Sequence, residues 1–187
     1  MGNLPIWIWA IFNLLIGIWE IYIFKNRSNL VLEKESLWEK ISNGTTSINT
    51  FFVDAWAEYT KVDSRYIKQY SPTQYVWGFE LSNAVLAIVF ILVLFMKNGK
   101  TETEIKSKIK WIKYILVLEL INCILYFLTL GIEIINDIIN NKNDSNSILN
   151  NIKQYAAAWK IPVYYLISFI WIIVPLICYY IVCRYSI

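Results

Sequence analysis

The chain has 187 residues, of which 57% are hydrophobic and 17% charged, with 9 Trp, 13 Tyr, 9 Phe and no His. A soluble domain carries about a quarter charged residues, so this balance selects lipid as the solvent. The absence of His excludes Ser-His-Asp and Cys-His catalysis and every His-ligated metal site, and a formal charge of +3 with acids and bases interspersed excludes a nucleic-acid surface.

Four apolar stretches reach the roughly 20 residues that a hydrocarbon core of about 30 Å requires. They cover residues 4–24, 75–96, 111–135 and 161–182. The expected fold is therefore all-α: a polytopic membrane protein, a bundle of four transmembrane helices in one domain over 1–187, with a long luminal first loop. The first stretch lacks a basic n-region and a small-x-small cleavage site, and Lys25 and Arg27 follow it, so it reads as a retained helix. The start MGNLPI lacks the Ser or Thr of a myristoylation signal.

In the first loop, residues 47–70 read as an interfacial helix with Phe52, Trp56 and Tyr59 on one side, a lid lying on the membrane surface. The next connection, KNGKTETEIKSKIK, reads as a short lysine-rich loop, which by the positive-inside rule places it and both termini in the cytoplasm. The first and third loops then face the lumen, where the acceptor patterns at Asn26, Asn43 and Asn143 also fall. The third loop, NDIINNKNDSNSILNNIK, is Asn-biased and reads as a flexible connector. Cys123, Cys178 and Cys183 lie in apolar runs and read as small core residues, not as a disulfide framework or metal site.

Polar residues three and four apart share a helix face. The first helix carries Asn13, Gly17 and Glu20, and the second Trp77, Glu80 and Asn83. The third carries Glu119, Asn122, Tyr126, Thr129 and Glu133, and the fourth Tyr164, Ser168, Trp171 and Pro175. A carboxylate facing lipid costs about 2.5–3.5 kcal/mol, so the stripes should turn inward. Interhelical hydrogen bonding alone accounts for Asn13, Thr129 and Asn122. It accounts less well for the glutamates, because two like carboxylates in a dry site cannot both ionise comfortably. At about 1.5 Å rise per residue, Glu20 and Glu80 both fall roughly 6–8 Å below the luminal boundary, at a depth where they can share a site, with Trp171 about 15 Å in.

The segment AEYTKVDSRYI from Ala57 resembles the KEYxKxDSRY signature of the emopamil-binding protein family, the sterol Δ8-to-Δ7 isomerases within the EXPERA domain superfamily. Glu80, LYFLT from Leu125 and WIIVP from Trp171 follow in the family's order, and the resemblance covers nearly the whole chain, without the additional amino-terminal helix of longer members. It implies an endoplasmic-reticulum membrane enzyme that shifts a sterol ring double bond by protonation and deprotonation, with no cofactor and no metal. On that resemblance Glu20 and Glu80 correspond to the family's acidic pair and Trp171 to its cation-stabilising tryptophan. Asn83, Glu119, Asn122, Tyr126 and Ser168 are the expected substrate contacts, and Arg65 of the DSRY segment is a clamp at the luminal mouth. The expected partners are the bilayer and a sterol or cationic amphiphile in an intramembrane pocket; a homodimer is left open.

The chain departs from the pattern at Ile16, where isomerases carry His, at Ser168 for Asn, at Asn83 for Thr, and at Glu119–Asn122, where the family has Gln-Leu-Tyr-Gly. A missing acid or base costs roughly 10²–10⁴-fold unless Glu119 substitutes. The competing expectation is therefore a non-catalytic relative that binds sterols or amphiphiles in lipid handling. A channel is disfavoured, since one chain supplies no ring of repeated pore-lining residues.

Overall fold

A computed structural model describes residues 4–27, 37–66, 71–96, 101–140 and 160–184. Among these there is no strand. The elements are α1 (Leu4–Lys25), α2 (Leu37–Ser42), α3 (Ile48–Val62), a 3-10 turn (Ser64–Tyr66), α4 (Ser71–Phe95), α5 (Glu102–Ile139) and α6 (Lys160–Arg184). Three helices, Leu4–Lys25, Val76–Phe95 and Glu102–Ile139, are long and apolar enough to cross a membrane, and α6 is apolar over Phe169–Arg184. In lipid a helix satisfies its own backbone groups, so long apolar runs have no cheaper conformation.

The exposed surface of the long helices is largely apolar, and several polar side chains lie buried. Leu15, Leu92, Leu128 and Ile173 are exposed, whereas Asn13, Glu20, Thr60, Asp63, Arg65, Glu119 and Asp137 are buried. Water would drive the first group inward and the second outward; lipid does the reverse.

The helix ends differ from the sequence expectation in two places. The lysine-rich segment after Met96, expected as a loop, is helical from Glu102. Thr101 and Glu104 form a reciprocal cap there: Glu104 N donates to Thr101 Oγ1 (3.3 Å) and Thr101 N donates to Glu104 Oε2 (3.1 Å). At the other end α5 continues through Ile139, so the first part of the Asn-biased segment is helix, and Asp137 within it is buried. Residues 141–159, with Asn143, lie outside the described residues. The expected interfacial helix is α3, started by a capping box between Ser47 and Thr50, but its expected face is divided: Trp56 is buried and Phe52 is 48% exposed. The short α2 was not anticipated; Gly44 closes the turn after it at φ 66°, a left-handed conformation that suits glycine.

The chain forms two compact units, Met1–Glu20 with Phe79–Tyr126 and Ile167–Ile187, and Ile21–Gly78 with Phe127–Leu166. In the first unit, α1, α4, α5 and α6 share one apolar core that includes Trp9, Phe90, Leu116 and Cys178. Trp7 meets Phe95 edge-on at 5.2 Å and Gly17 abuts Ala84, so α1 and α4 run antiparallel. Lys108 Nζ donates to the carbonyls of Leu94 (2.9 Å) and Met96 (2.7 Å), satisfying the last turn of α4. All three cysteines are free.

The second unit packs around an aromatic group. Tyr66 meets Trp77 at 5.2 Å, Trp56 lies 6.3 Å from Trp77, and Phe24 meets Trp77 at 5.6 Å. Around it, Lys40 pairs with Asp54 at 2.9 Å and Glu58 accepts from the Leu37 backbone N–H at 2.8 Å. These two contacts tie α2 to α3.

Candidate functional site

The polar interior of the first unit is assembled on the buried stripe of α1. Trp9, Asn13, Gly17 and Glu20 recur at helical spacing, and all four are buried. At Gly17 the lack of a side chain brings α1 against Ala84 of α4, with a Cβ there falling 2.9 Å from the Ala84 Cα. Glu20 lies three residues after this crossing and Glu80 four residues before it on the antiparallel helix, so one close approach delivers both carboxyls to the same place.

Glu20 is 3% exposed, and half-buried Glu80 lies close enough for the two carboxyls to interact. A bond between two carboxyls requires a proton on one of them, since neither carboxylate is a donor. Two carboxyls set side by side in this way can share one proton. Glu20 Oε2 is buried and has no hydrogen-bond partner among the described residues.

Glu119 is differently placed. Trp9 Nε1 donates to its Oε2 at 3.0 Å and Asn13 Nδ2 donates to its Oε1 at 2.9 Å, both bonds buried between α1 and α5. Each carboxylate oxygen thus has a donor from α1. Trp171, half-buried on α6, meets the Trp9 ring at 5.3 Å and the Phe12 ring at 5.9 Å. Stripe residues of three helices converge here: α1 through Trp9 and Asn13, α5 through Glu119 and α6 through Trp171.

Asn122 uses both ends of its amide on α4. Its Nδ2 donates to the Phe79 carbonyl at 2.9 Å, and Ser82 Oγ lies 2.7 Å from its Oδ1 as donor. It pins α5 to α4 one residue before Glu80, which is the interhelical role that spacing alone allowed. Asn83 is half-buried and Tyr126 buried in the same unit. Ser168 and Tyr164 belong to α6, with side chains outside the described residues.

In the second unit the DSRY segment is a buried ion pair. Arg65 Nε donates to Asp63 Oδ1 at 2.8 Å and its Nη2 to Oδ2 at 2.6 Å, while Nη1 donates to Thr129 Oγ1 at 2.8 Å. Both charged side chains are essentially inaccessible, at 1% and 0%. The 3-10 turn after α3 folds Arg65 back onto Asp63 in bidentate geometry and leaves the third nitrogen to hold α5.

The sequence reading missed Trp9 and Ser82. Trp9 had a usable signal, since it lies four residues before Asn13 on the same face and carries an indole N–H that a buried tryptophan places on an acceptor. Ser82 had none, because it sits beside, not on, the α4 stripe. No family model, curated protein or solved structure matches the chain.

Proposed function

We propose that this protein is a four-span endoplasmic-reticulum membrane isomerase of the emopamil-binding type, moving a ring double bond of a sterol from Δ8 to Δ7. The observation that carries the reading is the placement of two carboxyls, buried Glu20 and half-buried Glu80, side by side at the crossing of α1 and α4. One acid gives its proton to a carbon of the double bond, leaving a carbocation. A proton from the neighbouring ring carbon then passes to a carboxylate, the double bond re-forms one position along, and the pair regains its proton. No electron is gained or lost, so the reaction needs no cofactor. A cation of this kind is stabilised by an aromatic face; the resemblance gives that role to Trp171, whose ring packs on Trp9 and Phe12, eight to eleven residues along α1 from Glu20. Both termini face the cytoplasm in this reading, and the loop holding the Asp63–Arg65 pair faces the lumen.

The test is expression in cells lacking the sterol Δ8-to-Δ7 isomerase, with sterol profiling. Wild-type protein should clear the Δ8-sterols that accumulate, and Glu80→Gln, made and localised equally, should not. Continued accumulation with abundant wild-type protein rejects catalysis.

A second reading, a sterol- or amphiphile-binding protein without turnover, is favoured by one specific observation. Ile16 stands where the isomerases carry His, and Glu119, the residue able to replace its proton chemistry, has both oxygens engaged by Trp9 and Asn13. Saturable sterol binding that survives Glu80→Gln, with no product formed, selects this reading.

A further inference from the structure

Two helices of the first unit end their exposed apolar face in the same way. On α5 the exposed stripe runs through Leu125, Ile121 and Val117 to Tyr114. One turn beyond lies exposed Lys110, its ammonium 5.5 Å from the centre of the Tyr114 ring. On α6 the stripe runs through Ile173 and Leu176 to Tyr180, and one turn beyond lies exposed Arg184, its guanidinium 5.2 Å from the Tyr180 ring. The two cations belong to one end of the unit, because Ile112 and Val182, each two residues from its cation, are members of the same apolar core.

Neighbouring charges are otherwise committed. Lys106 pairs with Glu102 at 2.6 Å, Lys108 caps the α4 carbonyls, Glu104 caps the start of α5, and Lys113 is half-buried. No carboxylate among the described residues pairs with Lys110 or Arg184. Along each face, then, side chains pass from aliphatic to tyrosine to a cation that no carboxylate among the described residues pairs with, within about two turns. That is the order of polarity met on leaving a leaflet: acyl chain, interface, phosphate.

We propose that Lys110 with Tyr114 and Arg184 with Tyr180 form a binding rim for anionic phospholipid headgroups at this end of the first unit. The occupant is a lipid and not an acidic protein segment because each cation continues an exposed apolar stripe that acyl chains cover. The rim requires no sterol chemistry.

The experiment uses the full chain in phosphatidylcholine bilayers containing a minor fraction of phosphatidylserine, with retained lipids counted by native mass spectrometry. A basic residue near the surface strengthens anionic-lipid attraction by about fivefold, so phosphatidylserine should be retained well above its bulk fraction. Lys110→Gln with Arg184→Gln should abolish the enrichment, and Lys110→Arg with Arg184→Lys should keep it. Raising the salt concentration on the wild-type protein, which needs no variant to fold, should also reduce it. Retention at the bulk fraction by the wild type, enrichment unchanged in the double Gln variant, or enrichment indifferent to salt would each overturn the assignment.

Discussion

Replacing Gly17 with Ala puts a Cβ 2.9 Å from the Ala84 Cα and 3.1 Å from its Cβ. Carbon atoms in contact rest at about 3.5–4.0 Å, so α1 and α4 must move apart by roughly 0.5–1 Å. The atom struck first is backbone and cannot rotate away. Overpacking of this kind costs about 1–3 kcal/mol, and helices in lipid depend on small residues for such approaches. For a chain of this length each kcal/mol moves Tm by about 2–4 °C, so Gly17→Ala should lower it by about 2–12 °C in detergent. Gly17→Ala with Ala84→Gly removes the 3.1 Å contact with the Ala84 Cβ but keeps the 2.9 Å contact with its Cα, so the double variant should recover only part of the loss, with a coupling toward the low end of about 0.5–3 kcal/mol. A second readout is local: infrared absorption of the protonated carboxyl should shift as Glu20 and Glu80 separate. Wild-type Tm in Gly17→Ala, or strict additivity with Ala84→Gly, refutes the argument that this crossing sets the carboxyl pair.

Two other sites give distinct outcomes. Arg65→Ala leaves Asp63 buried without its partner, which should cost about 3–5 kcal/mol, whereas replacing both with apolar residues of similar volume should cost much less; denaturant titration in micelles separates the two. Asn122→Ala removes the bonds to Phe79 and Ser82, and at about 0.6 kcal/mol for an interhelical bond in lipid the loss should be near 1 kcal/mol. If Asn122 also contacts the proposed sterol ligand, its affinity falls along with the unfolding midpoint.

What could be read without coordinates was set by local patterns. The apolar runs located α1 and the end of α4 nearly to the residue, because in lipid the run and the helix are largely the same physical object, though α4 starts four residues before its run, at Ser71. The run beginning at Trp111 located the middle of α5 but not its start, since lysines between Lys106 and Lys113 masked a T-x-x-E cap at Thr101 and Glu104 that was present in the sequence. The common depth of Glu20 and Glu80 followed from helical rise alone. The means of bringing them together did not: that the glycine on α1 would meet Ala84, and not some other residue, is a matter of helix crossing that no single segment encodes. Arg65 and Asp63 are two apart, a spacing that pairs nothing on a helix, and their union became possible only because α3 stops at Val62. Glu119 was visible as a polar residue, but spacing could not show that its two oxygens were already engaged.

That engagement yields a further discriminating prediction. Glu119 accepts from Trp9 and from Asn13, and the two donors are not equivalent. An indole N–H has no acceptor to offer, whereas an amide can turn end for end and present its oxygen. Glu119→Gln should therefore be accommodated: the Gln oxygen takes the Trp9 bond, the Asn13 amide reverses, and the new NH₂ donates to it. Glu119→Leu leaves both buried donors without acceptors, at about 1–3 kcal/mol each. If Glu119 is only a tie between α1 and α5, Gln keeps near wild-type stability and, under the proposed isomerase activity, near wild-type sterol turnover, and Leu loses stability. If Glu119 instead supplies, in the proposed isomerase, the acid-base function that the resembled family assigns to a His at the position of Ile16, Gln keeps its stability but turnover falls by about 10²–10⁴-fold. The geometry favours the tie, so a stable, inactive Glu119→Gln protein would refute it and transfer Glu119 to the catalytic set.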